Sequence, residues 1–286
     1  MEVRRDMRLS DREFERLATF IHGSVGIKMP VAKRTMLEVR LGSRVRAMGM
    51  ESFEEYCTHV FDSGDGAEEL RKLVDAVTTN KTEFFREAAH FEWLTSQVLP
   101  ELLGRDSALG NTKPLRVWSA GCSSGEEPYT LSMVLSDYAA RTGALDFEIT
   151  ATDLSSRMLE AALEAVYRGS VAANVPQQHR RRQYLLRSRD RQKDLVRVAP
   201  AIRRRVRFGR LNLLDPFPFG AQFDVVFCRN VLIYFNRETQ VDVLRRMCDV
   251  MVDGGYLFVG HSETLHGMSL PLRYVAPTIY AKEPAE

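Results

Sequence analysis

Apolar residues in the first eighty positions recur every three to four residues, the period of amphipathic helices. Ser10-x-x-Glu13 has the form of a capping box, and Phe14, Leu17, Ala18 and Ile21 follow on one face. Ser52-x-x-Glu55 repeats the signal ahead of Phe53, Tyr56, Cys57, Val60 and Phe61, and the turn-rich DSGDG (62–66) ends that stretch. Leu70, Leu73, Val74 and Val77 form a further stripe. Between the two starts, Leu37, Leu41, Val45 and Met48 predict a helix over 33–48. Lys33, Arg40 and Arg44 lie along one edge of its stripe.

From Leu115 the pattern changes. LRVWSA (115–120), FEITATDLS (147–155), FDVVFCRN (223–230) and GGYLFVG (254–260) read as strands. EEPYTLSMVLSDYAA, SRMLEAALEAV and RETQVDVLRRMCDVM read as intervening helices, with Pro128 tolerated in a first turn. Strands alternating with helices of this length imply an α/β fold with a parallel sheet. LRYVAPTIYAKE (272–283) has no helix between its strand-like halves and is expected to extend the sheet edge as an antiparallel hairpin.

Composition adds limits. With 286 residues, 44% hydrophobic and 27% charged, the chain is long enough for about two domains and is too apolar for intrinsic disorder. No apolar run reaches bilayer length and the start lacks a signal-peptide core, so a soluble, cytoplasmic protein without membrane insertion is expected. The four cysteines are scattered singly, without a C-x-x-C pair. The net charge of +2 is unevenly spread: thirteen Arg or Lys face two Asp between His179 and Arg210, which leaves the rest of the chain acidic.

The candidate chemistry lies at strand ends. G-C-S-S-G (121–125) turns the first strand into a helix, and a loop there allows close approach of a ligand, beginning at Gly121. Its spacing is not that of a dinucleotide fingerprint. Glu126 and Glu127 open the helix where a pyrophosphate would otherwise sit; they would repel phosphate and welcome a cation, or they simply complement the helix dipole. Asp153 ends the next strand, where such folds present an acid to a ribose, although an N-cap for the following helix is its rival. Adenosine, ribose hydroxyls, no phosphate and a positive sulfonium fit this inventory, which points to S-adenosylmethionine, with S-adenosylhomocysteine as product.

Taken together, NKTEFFRE (80–87), RVWSAGCSSGEEPYTLSMVL (116–135), ATDLSSRMLEAA (151–162), LNLLDPFP (211–218), FDVVFCRNVLIYF (223–235) and GGYLFVGHSE (254–263) closely resemble the chemotaxis receptor methyltransferases, the CheR family. The resemblance implies a Rossmann-like S-adenosylmethionine-dependent methyltransferase sheet with a small antiparallel β insert, preceded by an all-α N-terminal domain. It implies domains at 1–78 (helical, receptor-docking), 79–95 (a linker helix touching the cofactor) and 96–286 (cofactor-binding), with the insert around 180–208. The activity implied is O-methylation of receptor glutamates to glutamyl methyl esters. A glutamate with a pKa of about 4.3 is already ionised at neutral pH, so no general base, catalytic Cys or His, or metal is required. All six histidines then read as structural or surface groups.

Carried onto matching positions, Asn80, Thr82 and Arg86 would reach over the cofactor; Asn80 could also cap a helix through Glu83. Glu127 would bind the methionyl amino group, Asp153 the ribose, and Asn212 with Leu213 the adenine. Cys228, Arg229 and Asn230 would line the far side. Arg86 and Tyr234 are the candidates for positioning the substrate carboxylate, Tyr234 having a core aromatic as its alternative. Partners implied are the acidic helices of chemotaxis receptors, docked by Lys33, Arg40 and Arg44. Some relatives also bind a receptor C-terminal tail at the insert. Here RSRDRQKD (187–194) lacks the loop glycines of such members, so tail capture would rest on charge alone. Nucleic-acid methylation is disfavoured because R-N-V-L-I-Y replaces the N/D-P-P-Y loop of base methylation. A non-catalytic cofactor-binding module is the remaining alternative.

Overall fold

The computed structural model describes residues 7–63, 66–78, 80–143, 145–181, 184–190 and 192–284. Of the positions singled out above, Gly64, Asp65, Thr79, Arg182 and Arg191 lie outside them, as do the side chains of Arg180 and Arg181. The chain divides into two compact units, one of Met1–Thr79 with Tyr234–Thr239, the other of Asn80–Ile233 with Gln240–Glu286.

The first unit holds α1 (Asp11–Val25), α2 (Arg34–Ala47), α3 (Phe53–Asp62) and α4 (Ala67–Val77). The capping box at Ser10 closes in both directions, and the Ser52 hydroxyl accepts from the Glu55 amide. Phe14, Leu17 and Ile21 of α1 are buried together with Leu37, Leu41 and Val45 of α2 and Phe53, Tyr56 and Val60 of α3. Each such side chain contributes about 1.5–3 kcal/mol by leaving water. Arg40 and Arg44 are partly committed within this unit. Arg40 donates to the carbonyls of Val77 and Thr78, and Arg44 makes a two-pronged pair with Glu69, whose Oε1 also accepts from the Tyr56 hydroxyl.

The second unit contains α5 (Ala89–Trp93), which continues through one π-helical stretch, Leu94–Val98, into α6 (Leu99–Arg105). The expected linker helix over 79–95 is therefore corrected: no helix starts at Asn80, so that residue caps none, and 80–88 is turn and irregular backbone. Strands β1 (Leu115–Ala120), β2 (Phe147–Asp153), β3 (Val166–Arg168), β4 (Leu185–Arg187), β5 (Leu195–Val198), β6 (Val206–Arg210), β7 (Phe223–Cys228), β8 (Met251–Val259), β9 (Leu272–Ala276) and β10 (Ile279–Lys282) follow. Two long helices, α7 (Glu126–Thr142) and α8 (Ser156–Glu164), connect β1 to β2 and leave β2.

Seven strands form one sheet in the order β6-β2-β1-β7-β8-β10-β9. It is parallel from β6 to β8, and β10 is antiparallel to both neighbours, so the C-terminal hairpin completes the edge. Every residue of β7 is buried, as are five of the six in β1, the mark of strands covered on both faces. The antiparallel insert is a three-stranded sheet, β3-β5-β4. Its extent differs from the expected 180–208: it begins at Val166 and ends at Val198, and Val206–Arg210 pairs parallel with β2 as the edge of the main sheet. Of the basic segment, Arg197 and Arg203 donate to the Glu164 and Leu163 carbonyls at the end of α8, and Arg205 pairs with Asp146. Among the described residues no helix is long and apolar enough to cross a membrane.

Candidate functional site

Strand order reverses between β1 and β7, since β2 and β6 lie on one side of β1 and β7 and β8 on the other. Open α/β sheets bind ligands at such a switch point, beyond the carboxyl ends of the strands. A cleft opens there, lined by Asn80, Thr82, Arg86, Gly121, Glu127, Arg229 and Asn230 of the expected residues. Lys81, Glu83, Phe91, Ser123 and Val231 also line it and were not anticipated. Four of the six described non-glycine residues with left-handed backbone cluster here: Phe85 (φ +57°), Glu87 (+56°), Ser123 (+47°) and Asn230 (+59°). Strained backbone of this kind persists only where surroundings over-determine it, and it concentrates at functional sites.

Gly121 (φ +79°) is required by the chain itself: a Cβ there would lie 2.4 Å from Val231 Cγ2. Its amide donates to the Thr152 carbonyl (2.8 Å), which ties the loop to the end of β2. Asp153 finishes that tie, accepting from the Ser123 amide (2.8 Å) and the Ser155 amide (2.9 Å). The helix cap that competed for Asp153 is supplied by Ser155, whose hydroxyl accepts from the Met158 amide.

Arg229 is the electrical centre of the cleft. Its side chain is 2% exposed, and it pairs with Glu87 (3.1 Å) and Glu127 (3.2 Å), donates to the Arg86 carbonyl (2.5 Å) and lies over the Phe91 ring. Glu127 also accepts from the Ser119 hydroxyl (2.7 Å). Burial raises its pKa and outweighs the opposing pull of Arg229. Burial also acts to raise Glu87, yet Arg229 and the Asn230 amide together hold it below the usual range. One buried cation thus serves two carboxylates. Arg86 stands beside it, one-third exposed, its Nη1 donating to the Lys81 carbonyl (2.9 Å).

The remaining expected residues fall elsewhere. Asn212 folds its Oδ1 back onto the Leu214 amide, and Leu213 is buried with its carbonyl accepting from Arg246. Cys228 is fully buried in β7, so its thiol is withdrawn from the cleft, and burial drives its pKa well up. Tyr234 belongs to the helical unit, where its carbonyl accepts from the Lys28 amide. Two acids without an expected role prove central: Glu87, and the buried Glu263, which accepts from the amides of Asn230, Ile233 and Gly260 and so fixes the turn after β7. Both lie inside motifs already noted, NKTEFFRE and GGYLFVGHSE, but their partners are distant in sequence.

A family described as "CheR methyltransferase, SAM binding domain" matches residues 80–280, and one described as "CheR methyltransferase, all-alpha domain" matches 12–78. The chain belongs to the CheR methyltransferase family. Its relatives include a chemotaxis protein methyltransferase of Borreliella burgdorferi, 35% identical over 97% of this chain and 96% of that protein. That of Escherichia coli is 35% identical over 98% and 94%, and chemotaxis protein methyltransferase 1 of Pseudomonas aeruginosa is 38% identical over 92% and 93%. This family member is an S-adenosylmethionine-dependent methyltransferase. The donor set of the cleft fits that cofactor: buried carboxylates at a helix N-terminus disfavour phosphate and suit an ammonium, and Asp153 sits where a ribose diol is met in such sheets.

Proposed function

We propose that this chain methylates glutamate side-chain carboxylates on the helical signalling region of chemotaxis receptors in the cytoplasm, forming glutamyl methyl esters. The observation that carries this reading is the pairing, in one cleft, of two carboxylates held on the buried Arg229 with one partly exposed guanidinium, Arg86. When bound, S-adenosylmethionine supplies a methyl group on positively charged sulfur. Glu127 accepts hydrogen bonds from its amino group, Asp153 from its ribose hydroxyls, and Asn212 with the Leu213 backbone meets the adenine. Asn80 and Thr82 cover it, while Arg229 and Asn230 close the far wall, with Cys228 contributing backbone only.

Arg86 draws the substrate carboxylate in and orients it. The nucleophile arrives ionised, so the residues around it align and desolvate rather than remove a proton. The orienting role falls to Arg86 by its charge and to Tyr234 by its hydroxyl. Receptor helices dock along the basic edge of Lys33, Arg40 and Arg44, of which Arg40 and Arg44 also make bonds within their own unit.

Incubation with labelled S-adenosylmethionine and receptor fragments should place base-labile label on the receptor. Label on nucleic acid, or none at all, rejects the reading in favour of a base methyltransferase or a non-catalytic module. Arg86→Ala should lower turnover about 100-fold, the loss expected when a substrate carboxylate is no longer oriented.

A further inference from the structure

The folding of 85–90 against the turn after β8 brings together three side chains that the methyl-transfer reading does not use as a group. Glu87 Oε2 lies 3.5 Å from His90 Nδ1 and 3.8 Å from His261 Nε2, and the three ligand atoms are all within 4.8 Å of one another. His90 is 2% exposed, and its Nδ1 has no hydrogen-bond partner among the described residues. His90 Nε2 is 2.7 Å from Thr278 Oγ1, which also lies 2.6 Å from the Pro277 carbonyl. When that hydroxyl donates to Pro277, Nε2 carries the ring hydrogen and Nδ1 presents a bare lone pair to the Glu87 carboxylate. A lone pair facing a carboxylate across 3.5 Å, in a buried place, is repulsive unless something positive stands between them.

The geometry points to a binding site for one divalent transition cation of the zinc class, formed by Glu87, His90 and His261. Two imidazoles and one carboxylate are a common zinc set, with the fourth position left to water. Metal–nitrogen bonds of about 2.0–2.1 Å place neighbouring ligands of a tetrahedron roughly 3.4 Å apart, and the two distances from Glu87, 3.5 and 3.8 Å, need only a small contraction to reach it. The Thr278 hydroxyl on the far nitrogen is the outer partner that orients a ligating histidine.

Arg229 is the competitor, for its Nη2 holds the same Glu87 oxygen at 3.1 Å. Arg229 also keeps Glu127 when Glu87 is shared.

The test uses Co²⁺ on the full chain after removal of metals by chelation, without cofactor. We expect one Co²⁺ per chain, with the visible absorption of a low-symmetry, imidazole-bound site, displaced by Zn²⁺. His261→Ala, at a ring 59% exposed and therefore safe for folding, should weaken binding at least tenfold; His266→Ala should leave it unchanged. Absence of the visible band, or binding indifferent to His261→Ala, overturns the site. The readout is independent of methyl transfer, so its failure leaves the activity reading untouched.

Discussion

Arg44 in one unit and Arg229 in the other are both paired with acids, and they stand in different electrical situations. Arg44 of the helical unit meets one carboxylate, Glu69, through Nε at 3.0 Å and Nη2 at 2.5 Å, with the Tyr56 hydroxyl completing Glu69 Oε1 at 3.0 Å. Charge is balanced within the group, and burial drives the Tyr56 pKa upward, with Glu69 adding to it. Arg229 of the catalytic unit is divided between Glu87 and Glu127. The first arrangement fastens helices. The second sets two carboxylates on one buried guanidinium in a cleft that Arg86 also lines.

The largest effect should come from Arg229→Met, which strands two carboxylates. Removing one partner of a buried pair costs about 3–5 kcal/mol, so urea unfolding should fall by that amount and calorimetry should find no cofactor uptake. A loss below about 1 kcal/mol would mean that the two acids do not depend on Arg229. Next, Glu127→Gln should keep the fold but weaken S-adenosylhomocysteine binding about tenfold or more, the value of a charged hydrogen bond. The sign with pH follows from burial. Glu127 holds a proton at higher pH than an exposed carboxylate, so wild-type affinity should drop as pH is lowered, whereas the Gln variant, with no charge to lose, should show a flatter acid limb. The smallest effect belongs to the balanced pair. Arg44→Met should cost about 1–3 kcal/mol without touching cofactor affinity, and adding Glu69→Leu should restore much of it. A change in cofactor affinity in either variant would break the contrast between the two arginines.

The helices of the first unit were legible because their signals are local: Ser10 and Ser52 cap within three residues, and the buried stripes keep helical spacing. Strands β1, β2, β7 and β8 were legible as apolar runs. Val206–Arg210 was not, because an edge strand is solvated along one side and can carry Arg207 and Arg210 without cost, so charge density disguised it as part of the insert. Val166–Arg168 was hidden for a different reason: three residues pairing with β5 leave too short a period to read. At the site, Glu127, Arg229 and Arg86 were found through motif and resemblance. Glu87 escaped notice because the arginine that gives it meaning is 142 positions away, and Glu263 because it works through backbone amides of 230, 233 and 260, which leave no trace in side-chain pattern. His261, read as a surface group, is exposed, but its Nε2 points to Glu87.

The Glu263 clamp bears on how a ligand is received. One carboxylate gathers three amides from two separate turns, and a Cβ at Gly260 would strike Asn230 Nδ2 at 2.4 Å, so the wall after β7 has little room to rearrange. A wall already ordered spares the association the entropy of organising it, and uptake of the cofactor should proceed with a small heat-capacity change, set by the ligand's own dehydration rather than by folding of the protein around it.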